Sequence, residues 1–181
     1  MRQVIKWAIV AAAMSAAALA NAQQRIAINL NSHSEIEINR PAAAIWPHIM
    51  EPNSWKPDRQ LVHYAGPAGQ LGEVFAIGGS AAPGKVWFFA ENVEIVPNQR
   101  RTIKLYDPEG RLLGFSTWLL TESHGRTRVE YDVHAESLLS AEKAKEATSE
   151  SIAAQQLEGY EVNKKRIDAE LGALKRLMEA N

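Results

Sequence analysis

The chain has 181 residues, no cysteine, and 20 basic against 21 acidic residues. This length favours one domain. The absence of cysteine excludes disulfides, thiolate metal sites and cysteine nucleophiles. The nearly balanced charge gives no electrostatic footprint for nucleic acid. We therefore expect a single domain that is held together by its hydrophobic core alone.

The first 22 residues differ in composition from the rest. Arg2 and Lys6 give a positive start, and residues 7–20 form an uncharged, alanine-rich run that is short for a bilayer span. Ala20 and Ala22 place small residues at the two positions that a signal peptidase recognises. The pattern predicts a secretory signal that is cleaved after Ala22 and a periplasmic or secreted protein. An uncleaved membrane anchor is the alternative.

The predicted domain covers residues 23–181 and begins with a strand. Apolar residues recur at alternate positions over 26–38, which predicts one long strand. Pro41 ends it, because proline cannot donate to a strand ladder and suits the first turn of a helix. Residues 42–50 then read as a short helix, and a second short helix is expected around Trp55.

Six further strand-like runs follow, separated by glycine, proline and asparagine turn signals. They cover residues 60–64, 73–78, 85–96, 101–106, 112–121 and 127–136. Consecutive strands with short breaks favour an antiparallel meander.

The last forty residues change period and predict a long helix that starts after Ser140, a good N-cap. The polar stretch before Gln155 is either a separate helix or a bend. One face of the later part carries Tyr160, Ile167, Leu171, Leu174 and Met178.

This order of elements resembles the helix-grip fold of the START/Bet v 1-like (SRPBCC) superfamily, in its bacterial polyketide cyclase/dehydrase-like branch. The matching motifs are Ile36-x-Ile38-x-x-Pro41, Ile45-Trp46, Trp55-x-Pro57, the VEIVP of 93–97, the GRTRVEY of 125–131 and the amphipathic 171–178. The resemblance implies an α+β fold in which a curved, seven-stranded antiparallel sheet wraps around the C-terminal helix, 141–181. It also implies two short helices at one end, which Trp46 and Trp55 would fill, and a cavity between sheet and helix.

Strand alternation predicts which side chains face that cavity. In the last strand Val129, Tyr131 and Val133 are expected to point inward. The charged residues between them, from Arg128 to His134, are expected to form cross-strand pairs on the outer face. The same rule makes Phe115, Thr117 and Leu119 inward candidates in the preceding strand.

Three consecutive aromatic residues, 87–89, cannot all face one side of a regular strand. A β-bulge or cover from another segment would resolve the conflict. A dimer contact or a transient membrane contact is the alternative, and the oligomeric state stays open.

The candidate ligand-binding residues are the aromatic and polar side chains expected near the cavity. They are Tyr64, Trp87, Phe89, Tyr106, Phe115, Tyr131, Tyr160 and Asn163. Ser32 and Ser34 offer two further inward hydroxyls on the first strand. The tyrosines are equally compatible with ordinary core positions whose hydroxyls are hydrogen-bonded.

No specific catalytic motif is present in the sequence. The five histidines lack HxxxH spacing, and GxSxG and phosphate-loop patterns are absent, so neither a metal nor a cofactor is expected. The function expected first is an exported binding or carrier protein for a hydrophobic small molecule: a lipid, an isoprenoid or an aromatic metabolite. A cyclase- or dehydratase-like enzyme that uses Tyr131, Tyr160 or His63 as acid or base is one alternative. An envelope protein-interaction domain is the other.

Overall fold

The computed structural model describes residues 26–51, 53, 55–56, 59–79 and 85–180, so the predicted signal segment and much of the predicted second short helix lie outside the described residues. Its strands are β1 (Ala27–Asn29), β2 (Ser32–Ile38), β3 (Arg59–Ala65), β4 (Val74–Gly79), β5 (Val86–Val96), β6 (Arg100–Tyr106), β7 (Leu112–Ser123) and β8 (Arg126–Leu138). Its helices are α1 (Ala42–Met50), α2 (Ala141–Glu146) and α3 (Ser149–Glu179).

The strands form one antiparallel sheet in the order β1-β8-β7-β6-β5-β4-β3, and β2 also pairs with β8. β1 and β2 lie one after the other along β8. The predicted first strand is therefore an edge strand that is interrupted at Leu30 and Asn31, and the predicted seven-stranded sheet is observed with that strand in two pieces.

The register shifts at one point in each of the four pairings from β3 to β7. Irregularities of this kind bend strands and increase their twist. One of them lies opposite Trp87, since Ile77 pairs with Phe88 while Gly78 pairs with Val86. A bulge here was one of the explanations predicted for the three consecutive aromatic residues.

The core lies where the second half of α3 packs on β2, α1 and the neighbouring strands β7 and β8. Ile167, Leu171 and Leu174 are at most 1% exposed and contact Ile38 and Val129 in one cluster of buried residues. The predicted apolar face of the helix is confirmed from Ile167 onward. Tyr160, in contrast, is 41% exposed.

The change from strand to short helix at Pro41 is stabilised by tertiary charges at both ends of α1. Glu122 of β7 accepts a hydrogen bond from the Ala42 amide at the helix start, with Oε2 and N 2.8 Å apart. Arg101 of β6 donates to the Ile49 carbonyl in the last turn. An anion at the N-terminus and a cation at the C-terminus both oppose the helix dipole. This accounts for the stability of a nine-residue helix without a side-chain N-cap.

Side-chain alternation follows the prediction in β8 and departs from it in β7. Val129, Tyr131 and Val133 are buried, and the charged residues between them pair across the outer face, as in the ion pair of Arg128 with Glu35. In β7 the prediction was wrong: Ser116, Trp118 and Leu120 are the buried residues. The register with β8 sets this parity, because Trp118 lies opposite Tyr131.

The C-terminal segment is two helices, with a break at Ala147 and Thr148. A capping box starts α3, in which Thr148 Oγ1 accepts from the Ser151 amide and Ser151 Oγ accepts from the Thr148 amide. The polar stretch is thus a separate helix, α2, that ends earlier than Gln155. Among the described helices, none combines the length and the apolarity that crossing a membrane requires.

Candidate ligand-binding cavity

A cavity exists because α3 lies over one edge of the sheet and leaves much of the inner face uncovered. The helix packs mainly on β2 and β1. Beyond them an open space of about 350 Å³, called here the inner cavity, separates α3 from the strands β5 to β8. Its lining residues are Leu30, Arg59, Phe88, Ile103, Leu105, Arg111, Leu113, Ser116, Tyr131, Val133, Ala135, Glu136, Ser137, Leu138, Asn163 and Arg166.

A second space of about 440 Å³, called here the side cavity, lies against the other flank of α3. Its lining residues are Trp55, Lys56, Arg59, Trp87, Arg166, Ala169, Glu170 and Ala173. Arg59 and Arg166 border both cavities. The two spaces therefore meet at a group of charged side chains, and both are of the size that small-molecule sites usually have.

The charged cluster at this junction consists of Glu170 and three cations. Glu170 Oε2 lies 2.6 Å from Lys56 Nζ, while Oε1 lies 2.6 Å from Arg166 Nη1 and 3.6 Å from Arg59 Nη2. The Glu170 side chain is only 12% exposed and that of Lys56 only 8%. The ion pairs tie the segment before β3 to the middle of α3.

Lys56 is held by aromatic rings as well as by Glu170. Its ammonium lies 4.7 Å from the ring centre of Trp55, 5.0 Å from that of Trp118 and 5.3 Å from that of Tyr131. Trp118 in turn stacks on Tyr131 with ring centres 4.0 Å apart. Cation–π contacts of this kind strengthen when water is excluded. The three aromatic residues belong to the buried core, and Trp55 and Tyr131 also line the side cavity and the inner cavity, respectively.

Burial alone would raise the pKa of Glu170, but the positive charges of Lys56, Arg166 and Arg59 lower it below its ordinary value. The carboxylate is consequently ionised at neutral pH. For Arg101, burial has the opposite effect and lowers the pKa to about 10, although the charges of Glu73 and Tyr131 act to raise it. That guanidinium stays charged and donates to Asn92 Oδ1 at 2.8 Å.

Ser116 contributes an unusual polar group to the inner cavity. Its residue is 2% exposed, and its hydroxyl oxygen has no hydrogen-bond partner among the described residues. Nearly all buried polar groups in proteins are hydrogen-bonded, and an unpaired hydroxyl costs free energy. Ser116 is therefore a candidate contact for something that enters the cavity.

The eight predicted ligand-binding residues separate into two groups. Tyr131 and Asn163 line the inner cavity, and the bulge in β5 brings Trp87 to the side cavity. The other five do not line either cavity. They are Tyr64, Phe89, Tyr106, Phe115 and Tyr160.

An outer aromatic cluster accounts for most of that second group. Tyr64 is 67% exposed, and its ring centre lies 4.9 Å from that of Phe89, which pairs across strands with Tyr106. The Tyr106 hydroxyl donates to Glu91 Oε2 at 2.8 Å. Phe115 is 38% exposed and adjoins the buried Ser116. These side chains face away from α3.

Asn163 holds α3 against the interrupted edge strand. Its Nδ2 donates to the Leu30 carbonyl at 3.0 Å and to Ser32 Oγ at 2.9 Å, and its Oδ1 accepts from Arg166. Ser34 is buried on the same side and contacts Lys164. The inward direction predicted for Ser32 and Ser34 is confirmed, but their hydroxyls meet the helix.

The three acid–base candidates do not converge. Tyr131 lines the inner cavity, whereas Tyr160 is on the exposed part of α3. The imidazole of His63 is about half exposed and lies 3.0 Å from Glu73 Oε1. Their positions provide no shared point for a substrate.

Two parts of the site were not predicted from the sequence: the charged cluster around Glu170 and the apolar residues of β5 and β6 that line the inner cavity. Arg166 and Glu170 are four residues apart on α3, a spacing that signals an ion pair. Lys56 and Arg59 gave no comparable signal, because their contacts to α3 are remote in sequence. The side chains of Phe88 in β5 and of Ile103 and Leu105 in β6 point inward and line the inner cavity.

With this geometry in view, known proteins can be compared with the chain. No family model matches it, and no curated protein does. Solved structures do match. The di-domain ARO/CYC protein StfQ from the steffimycin biosynthetic pathway gives a TM-score of 0.63 at 11% identity, over 84% of this chain and 51% of that one. SA2116 of Staphylococcus aureus, a protein of unknown function, gives 0.60 at 11% identity over 87% and 96%. Truncated norcoclaurine synthase from Thalictrum flavum gives 0.51 at 13% identity over 87% and 96%.

These similarities, at such low sequence identity, establish the fold. The chain has an α+β helix-grip architecture, with an open antiparallel sheet and a long C-terminal helix. This is the fold that the sequence predicted from its resemblance to the SRPBCC, or START/Bet v 1-like, superfamily, and the prediction is confirmed for the fold.

Proposed function

We propose that this protein is an exported binding or carrier protein for a hydrophobic small molecule, which occupies the inner cavity. The observation that carries the proposal is an open space of about 350 Å³ between α3 and the sheet. Its lining is more apolar than polar, and the apolar residues include Phe88, Ile103, Leu105 and Val133. Burial of apolar ligand surface would drive binding, at about 25 cal/mol for each Å² removed from water.

The fold supports the same function. Ligand sites are typically concave, mostly apolar and largely pre-formed, with a few polar groups that orient the ligand. The inner cavity combines an apolar wall with polar groups that could orient a ligand, among them Arg59, Ser116, Tyr131, Asn163 and Arg166. A carrier also requires that the ligand can enter and leave, and the cavity is partly open to solvent.

A fluorescence titration tests the proposal. N-phenylnaphthylamine, an uncharged probe that brightens in apolar surroundings, is titrated into the protein and displaced with dodecanol. We expect saturable binding and complete displacement. Ala135→Phe places a ring in the inner cavity, in space that the probe would occupy. It should therefore weaken probe binding by about tenfold or more, which corresponds to a loss of about 1.4 kcal/mol or more. Ala154→Phe, at an exposed position of α3, is the matched control.

Two outcomes would contradict the proposal. One is a wild-type protein that does not bind the probe. The other is equal probe affinity in Ala135→Phe and Ala154→Phe, because binding would then lie outside the inner cavity.

The export part of the proposal depends on the amino-terminal residues. Residues 1–22 have the charge, length and small-residue pattern of a cleaved signal. Expression in a bacterial host followed by fractionation and N-terminal sequencing should give periplasmic protein that starts at Gln23. Cytoplasmic protein that starts at Met1 would exclude export.

A further inference from the structure

We infer that the ligand is an amphiphile whose compact anionic head group, a carboxylate or a phosphate monoester, pairs with Arg59 while its apolar chain extends through the inner cavity. The inference rests on the proposed function and adds the ligand class. It is based on the charged cluster between the two cavities and on Ser116.

The cluster carries an excess of positive charge. Among the described residues, Lys56, Arg59 and Arg166 surround one carboxylate, Glu170. At the other rim of the inner cavity, Arg111 is already paired with Asp107. The lining also contains one carboxylate, that of Glu136, which forms no ion pair with the junction among the described residues. An anion that enters the cavity thus meets the excess of positive charge at the junction.

The three cations differ in how well they are paired. Lys56 is enclosed by Glu170 and by three aromatic rings. Arg166 donates to Asn163 Oδ1 and to Glu170 Oε1. Arg59 has only one partner for its guanidinium among the described residues, Glu170 Oε1 at 3.6 Å, which is too long for a hydrogen bond.

Arg59 also borders more of the spaces than Lys56 or Arg166 does. It borders the inner cavity, the side cavity and a small void of about 40 Å³. Its side chain is 19% exposed, so much of its surface is removed from water. A guanidinium presents five donors in a planar fork that matches carboxylate and phosphate oxygens. A bound anion would satisfy donors for which the described residues offer no hydrogen-bond partner.

Ser116 is the second, independent observation. Its buried hydroxyl lines the inner cavity and lacks a partner among the described residues. A purely hydrocarbon ligand would leave that hydroxyl unpaired. A ligand oxygen within reach of Ser116, on the head group or along the chain, would remove the penalty.

Ligands with one chain and different heads test the inference. The test titrates four ligands against N-phenylnaphthylamine bound to the wild-type protein: dodecanoate, dodecyl phosphate, dodecanol and dodecylammonium. We expect the better-matched anion to bind about tenfold more tightly than dodecanol, as one charge-assisted interaction allows, and dodecylammonium to bind most weakly. The order of the two anions identifies the head group. Comparison of the four needs no variant.

Arg59→Gln then locates the anion. It should reduce the preference for the anion over dodecanol, with both affinities measured in the same variant, to about threefold or less. Arg176→Gln removes an exposed arginine of α3 and should keep the full preference.

The outcomes separate this inference from the proposed function. Equal affinity of wild-type protein for all four heads overturns the inference and leaves a hydrophobic binding protein. An anion preference that Arg59→Gln leaves intact overturns the assignment to Arg59. Failure of every amphiphile to displace the probe overturns the proposed function itself.

Discussion

The two flanks of the contact between α3 and the sheet differ in how completely they are filled. Over β2 and α1, the side chains of Ile167, Leu171 and Leu174 leave almost no exposed surface. Over β5, β6 and the adjoining parts of β7 (residues 113–116) and β8 (residues 131–138), the helix is separated from the sheet by the inner cavity. The filled flank can supply stability, which leaves the hollow flank free to serve binding. Substitutions should therefore affect stability and binding separately.

The largest effect is expected on the filled flank. Leu171→Ala removes a side chain that is 1% exposed and should lower the free energy of unfolding by about 4 kcal/mol, from lost burial and the cavity left behind. Urea unfolding measures it. Val162→Ala, at a residue of α3 that is 64% exposed, should change the free energy by about 0.5 kcal/mol or less. Equal losses in both variants would remove the distinction between the flanks.

Sequence reasoning succeeded where contacts follow local periodicity. The short helix α1 and the apolar face from Ile167 onward follow from spacing alone, because each repeats over several residues. The β7 parity failed because both alternating sets of this strand contain large apolar residues, Phe115 and Leu119 in one and Trp118 and Leu120 in the other. The register with β8, which places Trp118 opposite Tyr131, decides between them.

The site was harder to predict than the fold. Tyr131 and Asn163 were found because they lie on inward positions of regular elements. The junction of Lys56 and Arg59 with Glu170 joins parts of the chain more than a hundred residues apart. Such a contact has no local signature, so only the assembled fold reveals it.

A second test breaks the charged junction. Glu170→Gln removes the carboxylate that compensates buried cations and should cost about 3 kcal/mol at neutral pH, as loss of one partner of a buried ion pair does. Because the pKa of Glu170 is lowered in the folded protein, its contribution is complete above the unfolded-state pKa and is lost as pH falls through the folded-state value.

The pH dependence of unfolding gives the corresponding measurement. The difference between wild type and Glu170→Gln should be constant above about pH 5 and shrink in more acidic solution, because the ordinary glutamate pKa is about 4.3. A difference that is independent of pH down to strongly acidic conditions would show that the carboxylate charge does not stabilise this junction.

A smaller effect is expected on the outer face of β2 and β8, where ion pairs are exposed. His33 Nδ1 lies 2.7 Å from Asp132 Oδ1, and this hydrogen bond raises the pKa of His33. Its contribution is present below the ordinary histidine pKa and is lost as pH rises through the raised value. His33→Asn should cost about 0.5 kcal/mol at pH 5, as exposed pairs do, and nothing in alkaline solution. An undiminished cost at alkaline pH would refute the ion-pair account.

The smallest effect on stability is expected at Ser116. Its hydroxyl lacks a partner among the described residues, so Ser116→Ala should leave the free energy of unfolding within about 0.5 kcal/mol of the wild type or raise it slightly. Thr117→Ala on the same strand provides the contrast, because Thr117 Oγ1 lies 3.2 Å from Thr102 Oγ1. A loss of more than about 1 kcal/mol in Ser116→Ala would indicate a hydrogen bond there.

Amide chemical-shift mapping during a dodecanol titration tests the separation of the two flanks most directly. The account predicts saturable shifts that are concentrated at Phe88, Ile103, Leu105 and Val133, with little change at Ile167 and Leu171. Shifts that centre on the outer residues Tyr64 and Phe89, or that spread evenly over the chain, would contradict a ligand site between α3 and the sheet.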